Sequence, residues 1–95
     1  DIEKLQKLMD GGKIQANQRT AWESIGLAFG TILENEMDGM AWVTVIDGRN
    51  EYAALQFDTL LINPASLIWN QVKAKETVDL KAEFARIKAE VEAHM

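Results

Sequence analysis

Ninety-five residues, 47% hydrophobic and 26% charged, suit one globular domain with a continuous core. The chain has no cysteine, which removes disulfides, thiol nucleophiles and thiolate metal sites together. A net charge of −5 without a basic stripe argues against nucleic acid as a partner, and no apolar run approaches the ~20 residues of a membrane span.

The negative charge is concentrated. From Thr20 to Val72 the only basic residue is Arg49, among Glu23, Glu34, Glu36, Asp38, Asp47, Glu51 and Asp58. Such a block gives solubility and can steer a basic partner. The chain opens at Asp1 without a methionine, as a fragment or a processed form would, and this leaves room for a removed leader. No signal peptide is visible, and the expected compartment is the cytoplasm.

In chain order, Asp1 to Met9 carries Ile2, Leu5, Leu8 and Met9 at helical spacing, and Gly11-Gly12 stops the helix. A helix this short needs a surface to pack on. Ile14 to about Met37 is the longest helical pattern, with Trp22, Ile25, Phe29, Ile32, Leu33 and Met37 on one stripe. Asn17 or a residue nearer Lys13 is the expected cap. Gly26 and Gly30 share a face of this helix. Each costs about 1 kcal/mol against alanine, so their expected use is to admit another backbone, from the sheet or the last helix.

Glu34-Asn35-Glu36-Met37-Asp38-Gly39 resembles the opening of a calcium loop, but the twelfth position, which needs a bidentate glutamate, is Val45. A solvated helix end is expected, with Glu34, Glu36 and Asp38 as candidate carboxylates for a cation or small ligand. Ala41 to Ile46 is rich in β-branched residues, Asp47-Gly48-Arg49-Asn50 is a turn cluster, and Tyr52 to Phe57 returns. After a turn at Asp58-Thr59, Leu60 to Ile62 forms a third strand. The short connections require an antiparallel meander.

Two registers fit the hairpin. A three-residue loop at Gly48-Arg49-Asn50 sets Val43 opposite Leu55 and Val45 opposite Ala53. It leaves Trp42 and Tyr52 together on an aromatic face of the kind favoured at binding sites. A four-residue loop from Asp47 to Asn50 sets Trp42 opposite Leu55 and brings the tryptophan into the core. The first is preferred, because it gathers small and branched apolar residues on one face.

Asn63-Pro64 is a strong helix start, and this helix runs to about Lys75 with Leu67, Ile68 and Val72 inward and Trp69 at a groove edge. Asp79 caps a last helix whose Leu80, Phe84, Ile87 and Val91 form a seam that Met95 would extend. The seam is expected to pack on this domain, with docking on a second copy as the alternative.

The residues offer little for catalysis. His94 stands beside the C-terminus, Ser24 and Ser66 lie outside nucleophile motifs, and no phosphate-binding glycine loop follows a strand. The expectation is therefore no enzymatic activity, no cofactor and no metal site.

The order Ile25-Gly26-Leu27-Ala28-Phe29-Gly30, an acidic helix end, Trp42 opening a strand, an Asp-Gly turn, and a third strand running into Pro64 resembles the bacterial family called domain of unknown function 3806. The resemblance spans about Trp22 to Val91. It implies a bacterial source and supports the α+β order, and it brings no activity or substrate.

The expectation is thus one α+β domain over all 95 residues: a three-stranded antiparallel meander packed against helices in the order α-α-β-β-β-α-α. Its expected role is binding a protein or a second copy, through Trp42, Tyr52, Arg49 and Trp69 or through the acidic residues. A basic toxin is one such partner, which would make the protein an immunity protein or antitoxin. Small-ligand or metal binding through Glu34, Glu36 and Asp38 is the alternative.

Overall fold

The structure is a computed structural model and describes residues 2–94. It has helices α1 (Ile2–Asp10) and α2 (Arg19–Glu36), strands β1 (Ala41–Asp47), β2 (Asn50–Phe57) and β3 (Leu60–Ile62), and helices α3 (Pro64–Lys73) and α4 (Leu80–Ala93). This is the expected α+β order, and the antiparallel sheet runs β1-β2-β3. Asp1 and Met95, the expected ends of the first helix and of the last seam, lie outside the described residues.

The core joins every layer. Met9 of α1, Trp22, Ile25, Phe29 and Leu33 of α2, Leu55 of β2, Ile68 of α3, and Leu80, Ile87 and Val91 of α4 form one buried cluster. Trp42, Phe57, Leu60 and Ile62 bring the inner face of the sheet against it. Of the stripe read along α2, Trp22, Ile25, Phe29, Leu33 and Met37 join the core, whereas Ile32 is half-buried outside the cluster. In α1, Ile2, Leu5 and Met9 face inward, whereas Leu8 is exposed.

Local chemistry sets most of the ends. Asn63 Oδ1 accepts from Ser66 N at 3.1 Å with Pro64 in the first turn, and Asp79 Oδ1 accepts from Ala82 N at 3.2 Å. The end of α3 closes as a Schellman motif: Glu76 N donates to Gln71 O and Lys75 N to Val72 O, with Lys75 at φ 60°. The start of α2 is later than expected. Gln15 O accepts from Gln18 N and from Trp22 Nε1, and Gln15 N donates to Gln18 Oε1. These bonds hold Gln15 to Gln18 in a turn, so the helix begins at Arg19 without a side-chain cap.

The glycines of α2 are close-approach sites. A β-carbon on Gly26 would lie 2.6 Å from Ala65 Cα and closer still to the Pro64 carbonyl oxygen. One on Gly30 would lie 2.6 Å from the tip of the Trp42 ring and 2.8 Å from Pro64 Cγ. The two glycines let the start of α3 and the Trp42 ring reach the α2 backbone.

The hairpin register corrects the preferred reading. Trp42 pairs with Leu55, Thr44 with Ala53, Val45 with Tyr52 and Asp47 with Asn50. Only Gly48 and Arg49 form the turn, and the positive φ of Gly48 (62°), not shared by Arg49, is the pattern of a type II′ turn. Asn50 is drawn into β2, the faces swap, and Trp42 turns inward toward Gly30.

Candidate functional site

The two-residue turn dictates which main-chain groups of β1 are used. The pair flanking such a turn is hydrogen-bonded, and hydrogen-bonded pairs then alternate. Asp47–Asn50, Val45–Tyr52, Val43–Ala54 and Ala41–Gln56 are therefore the bonded pairs. The N–H and C=O groups of Trp42, Thr44 and Ile46 point the other way, toward the side of β1 where no strand lies among the described residues. β1 carries neither lysine nor proline, the usual guards of a sheet edge, and its one charge, Asp47, stands at its end.

Side chains along this edge are also uncovered. Ile46 is 71% exposed and Thr44 is exposed, while Val43 and Val45 are half-buried. On the outer face of the sheet Val43, Val45, Tyr52 and Leu61 lie away from the core cluster, with Tyr52 36% and Leu61 47% exposed.

A second concavity lies beside the hairpin. An open groove of about 750 Å³ runs between α2, the far half of the hairpin and the start of α3. Arg19, Glu23 and Leu27 form one wall, Asp47, Glu51 and Tyr52 another, and Asn63 and Ser66 the floor. Arg19 Nε lies 3.4 Å from a Glu23 carboxylate oxygen, and its guanidinium stands 5.8 Å from the centre of the Trp69 ring.

The structure separates the residues singled out from the sequence. Trp42 is half-buried on the inner face, and Tyr52 stands on the outer face, so they share no aromatic surface. Trp69 is half-buried at the core margin beneath Arg19. Arg49 is exposed at the hairpin tip, and no ion pair among the described residues includes it. Glu34 is half-buried, and Glu36 and Asp38 are exposed. Among the described residues no group of three His, Asp or Glu side chains is placed to hold a metal ion, and the charged side chains are not buried. On α4 the Arg86 guanidinium is held above its ordinary range by its hydrogen bond to Glu83, helped by the charges of Glu83 and Glu90 and opposed by partial burial.

The Arg19–Glu23 groove joins segments far apart in sequence and carries no local signal. The open edge of β1 does carry one: in a three-stranded meander the first strand must be an edge, and Ala41 to Ile46 has no guarding residue.

Comparison with known proteins places this architecture. The family model described as Domain of unknown function (DUF3806) matches residues 1–84. The chain belongs to the DUF3806 family. The resemblance read from Gly26, Gly30, Trp42 and Pro64 is thereby confirmed, and these residues are also the ones that lock α2, β1 and α3 together. A crystal structure of a protein from Bacteroides thetaiotaomicron VPI-5482, at 1.50 Å resolution, matches the DUF3806 domain with a TM-score of 0.85 and 35% identity. The match covers 90% of this chain and 32% of that one, so the chain spans about a third of the length of its solved relative. No curated protein matches the chain. No helix among the described residues is long and apolar enough to cross a membrane.

Proposed function

We propose that this DUF3806 domain is a non-catalytic bacterial protein-interaction module whose binding element is the open edge of β1. The observation that carries the reading is the run of outward main-chain groups at Trp42, Thr44 and Ile46 on an edge without lysine or proline. An extended segment laid along such an edge gains a ladder of main-chain hydrogen bonds, and alternate side chains supply selectivity. The hairpin is suited to the task because the Trp42 ring packs on the α2 backbone at Gly30, which holds the edge in place before a partner arrives.

Amide hydrogen exchange tests the reading. The amides of Val43, Val45 and Asp47, bonded to β2, should be protected. Those of Trp42, Thr44 and Ile46 should exchange rapidly in dilute protein and gain protection with extended peptides selected against the chain. Selected peptides that protect some other surface, or even-numbered amides already protected in isolated monomer, would refute it.

A further inference from the structure

We infer that α1 is a strap latched by one side chain, the Gln6 carboxamide. It swings open about Gly11-Gly12 as a unit, while the sheet and the helices from α2 to α4 stay folded.

Away from Gln6 the strap is weakly held. Nine residues are too few for a helix that is stable alone, so α1 forms only where it docks. Of its apolar residues Met9 is buried, Ile2 and Leu5 are half-buried, and Leu8 is exposed. The ion pair from Lys81 Nζ to Glu3 Oε1, at 3.2 Å, joins two well-exposed side chains, and such pairs contribute little. Gln6 is anchored differently. Its Nε2 donates to Val78 O at 3.0 Å and to Asp10 Oδ1 within α1 at 3.1 Å, and its Oε1 accepts from Leu80 N at 2.9 Å. Both ends of one amide thus grip the same stretch of backbone, 72 and 74 residues away in sequence.

The bond from Leu80 N couples the strap to α4. Leu80 is the first residue of α4, and the first N–H groups of a helix have no partner within it. Asp79 Oδ1 satisfies Ala82 N, and Gln6 satisfies Leu80 N. The cap of α4 is therefore shared between its neighbour in sequence and a residue from α1. Docking of α1 and completion of that cap are one event, and Val78 O and Leu80 N lose their Gln6 partner whenever α1 leaves.

The chain beyond α1 suits a hinge. Gly11 N closes the helix on Lys7 O at 3.0 Å, and Gly12 follows with a left-handed φ of 73°. Nothing lies within 4 Å of where a Gly12 β-carbon would stand. Its conformation is thus set by the path of the chain back toward α2, not by packing. The next fixed point is the turn from Gln15 to Gln18. Opening frees the stripe of Ile2, Leu5 and Met9 and gives the domain a second native form.

Native-state amide hydrogen exchange on the 95-residue chain tests this. The amides of residues 7–11 and of Leu80 should exchange through one shared opening, at least about tenfold faster than those of Phe29, Leu55 and Ile87 and with little dependence on denaturant. Gln6→Ala should speed that set about tenfold or more. Gly12→Ala, strained only where φ is held at 73°, should speed it roughly tenfold. Asn63→Ala weakens the start of α3 in the closed and opened forms alike. It should speed the core amides roughly fivefold and leave the α1 set unchanged. A short thiol cross-link between Glu3→Cys and Lys81→Cys, in a chain with no other cysteine, should slow the α1 set to the core rate.

An α1 set that exchanges at the core rate in the unlinked protein, or that Asn63→Ala speeds by the same factor as the core, overturns the strap, because α1 then leaves only in global unfolding. Exchange in residues 7–11 that leaves Leu80 protected, or that Gln6→Ala does not change, overturns Gln6 as the latch.

Discussion

Gly26 is the position where the packing argument is most exposed to test. Alanine there improves helix propensity by about 1 kcal/mol, so local reasoning predicts stabilisation. The tertiary structure predicts the opposite. The new methyl would stand 2.6 Å from Ala65 Cα and 2.8 Å from the Pro64 carbonyl carbon, against an ordinary contact of at least 3.4 Å. To accommodate it the start of α3 must retreat by roughly 1 Å, enough to forfeit a quarter to a half of each contact along the α2–α3 seam. Overpacking of this kind costs about 1–3 kcal/mol. The upper end applies because the obstructing atoms are backbone, held by the Asn63 cap and the Pro64 ring. The balance is a loss of about 2 kcal/mol, or roughly 8–16 °C in Tm for a domain of this size. Thermal and urea melts followed by circular dichroism measure it directly. Gly11→Ala serves as a control, since its methyl would meet only the carbonyl oxygens of Lys7 at 3.4 Å and Leu8 at 3.7 Å, ordinary van der Waals distances. A Gly26→Ala protein that melts at or above the wild-type temperature would refute the close-approach account.

Three further substitutions probe separate links. Asn63→Ala removes the bond to Ser66 N and should cost about 1 kcal/mol, seen as a Tm lower by roughly 4–8 °C. Gln6→Ala should detach α1. The Gln6 side chain donates to Val78 O at 3.0 Å and accepts from Leu80 N at 2.9 Å, and losing both leaves polar groups unmatched at a cost of about 1–3 kcal/mol. Faster amide exchange confined to α1 and the start of α4 would locate the effect. Lys75→Gly should raise Tm by several degrees, because Lys75 holds a left-handed φ of 60° in a Schellman motif where glycine carries no steric penalty, a gain of about 1 kcal/mol in chemical denaturation.

Much of this fold was legible residue by residue. The helix stripes, the caps at Asn63 and Asp79, Pro64 in the first turn of α3 and the antiparallel meander all follow from local rules of period, capping and loop length, because neighbours in sequence determine them. The same locality explains the error at the start of α2. Ile14 fits the helical stripe, but whether Gln15 enters the helix depends on the Trp22 indole binding its carbonyl.

The hairpin shows where local rules end. Asp47-Gly48-Arg49-Asn50 accommodates two, three or four loop residues, and Trp42-Val43-Thr44-Val45-Ile46 lacks the polar alternation that would assign its faces. Register depends on a single residue of parity, so a small non-local preference decides it. Here that preference is the fit of the Trp42 ring against Gly30, 12 positions away in sequence. The sequence by itself determined the elements, their order, the core stripe and the family. The tertiary structure alone decided which way Trp42 points and which β1 groups face outward, because turn length and side-chain facing become unique only once the helices press against the sheet.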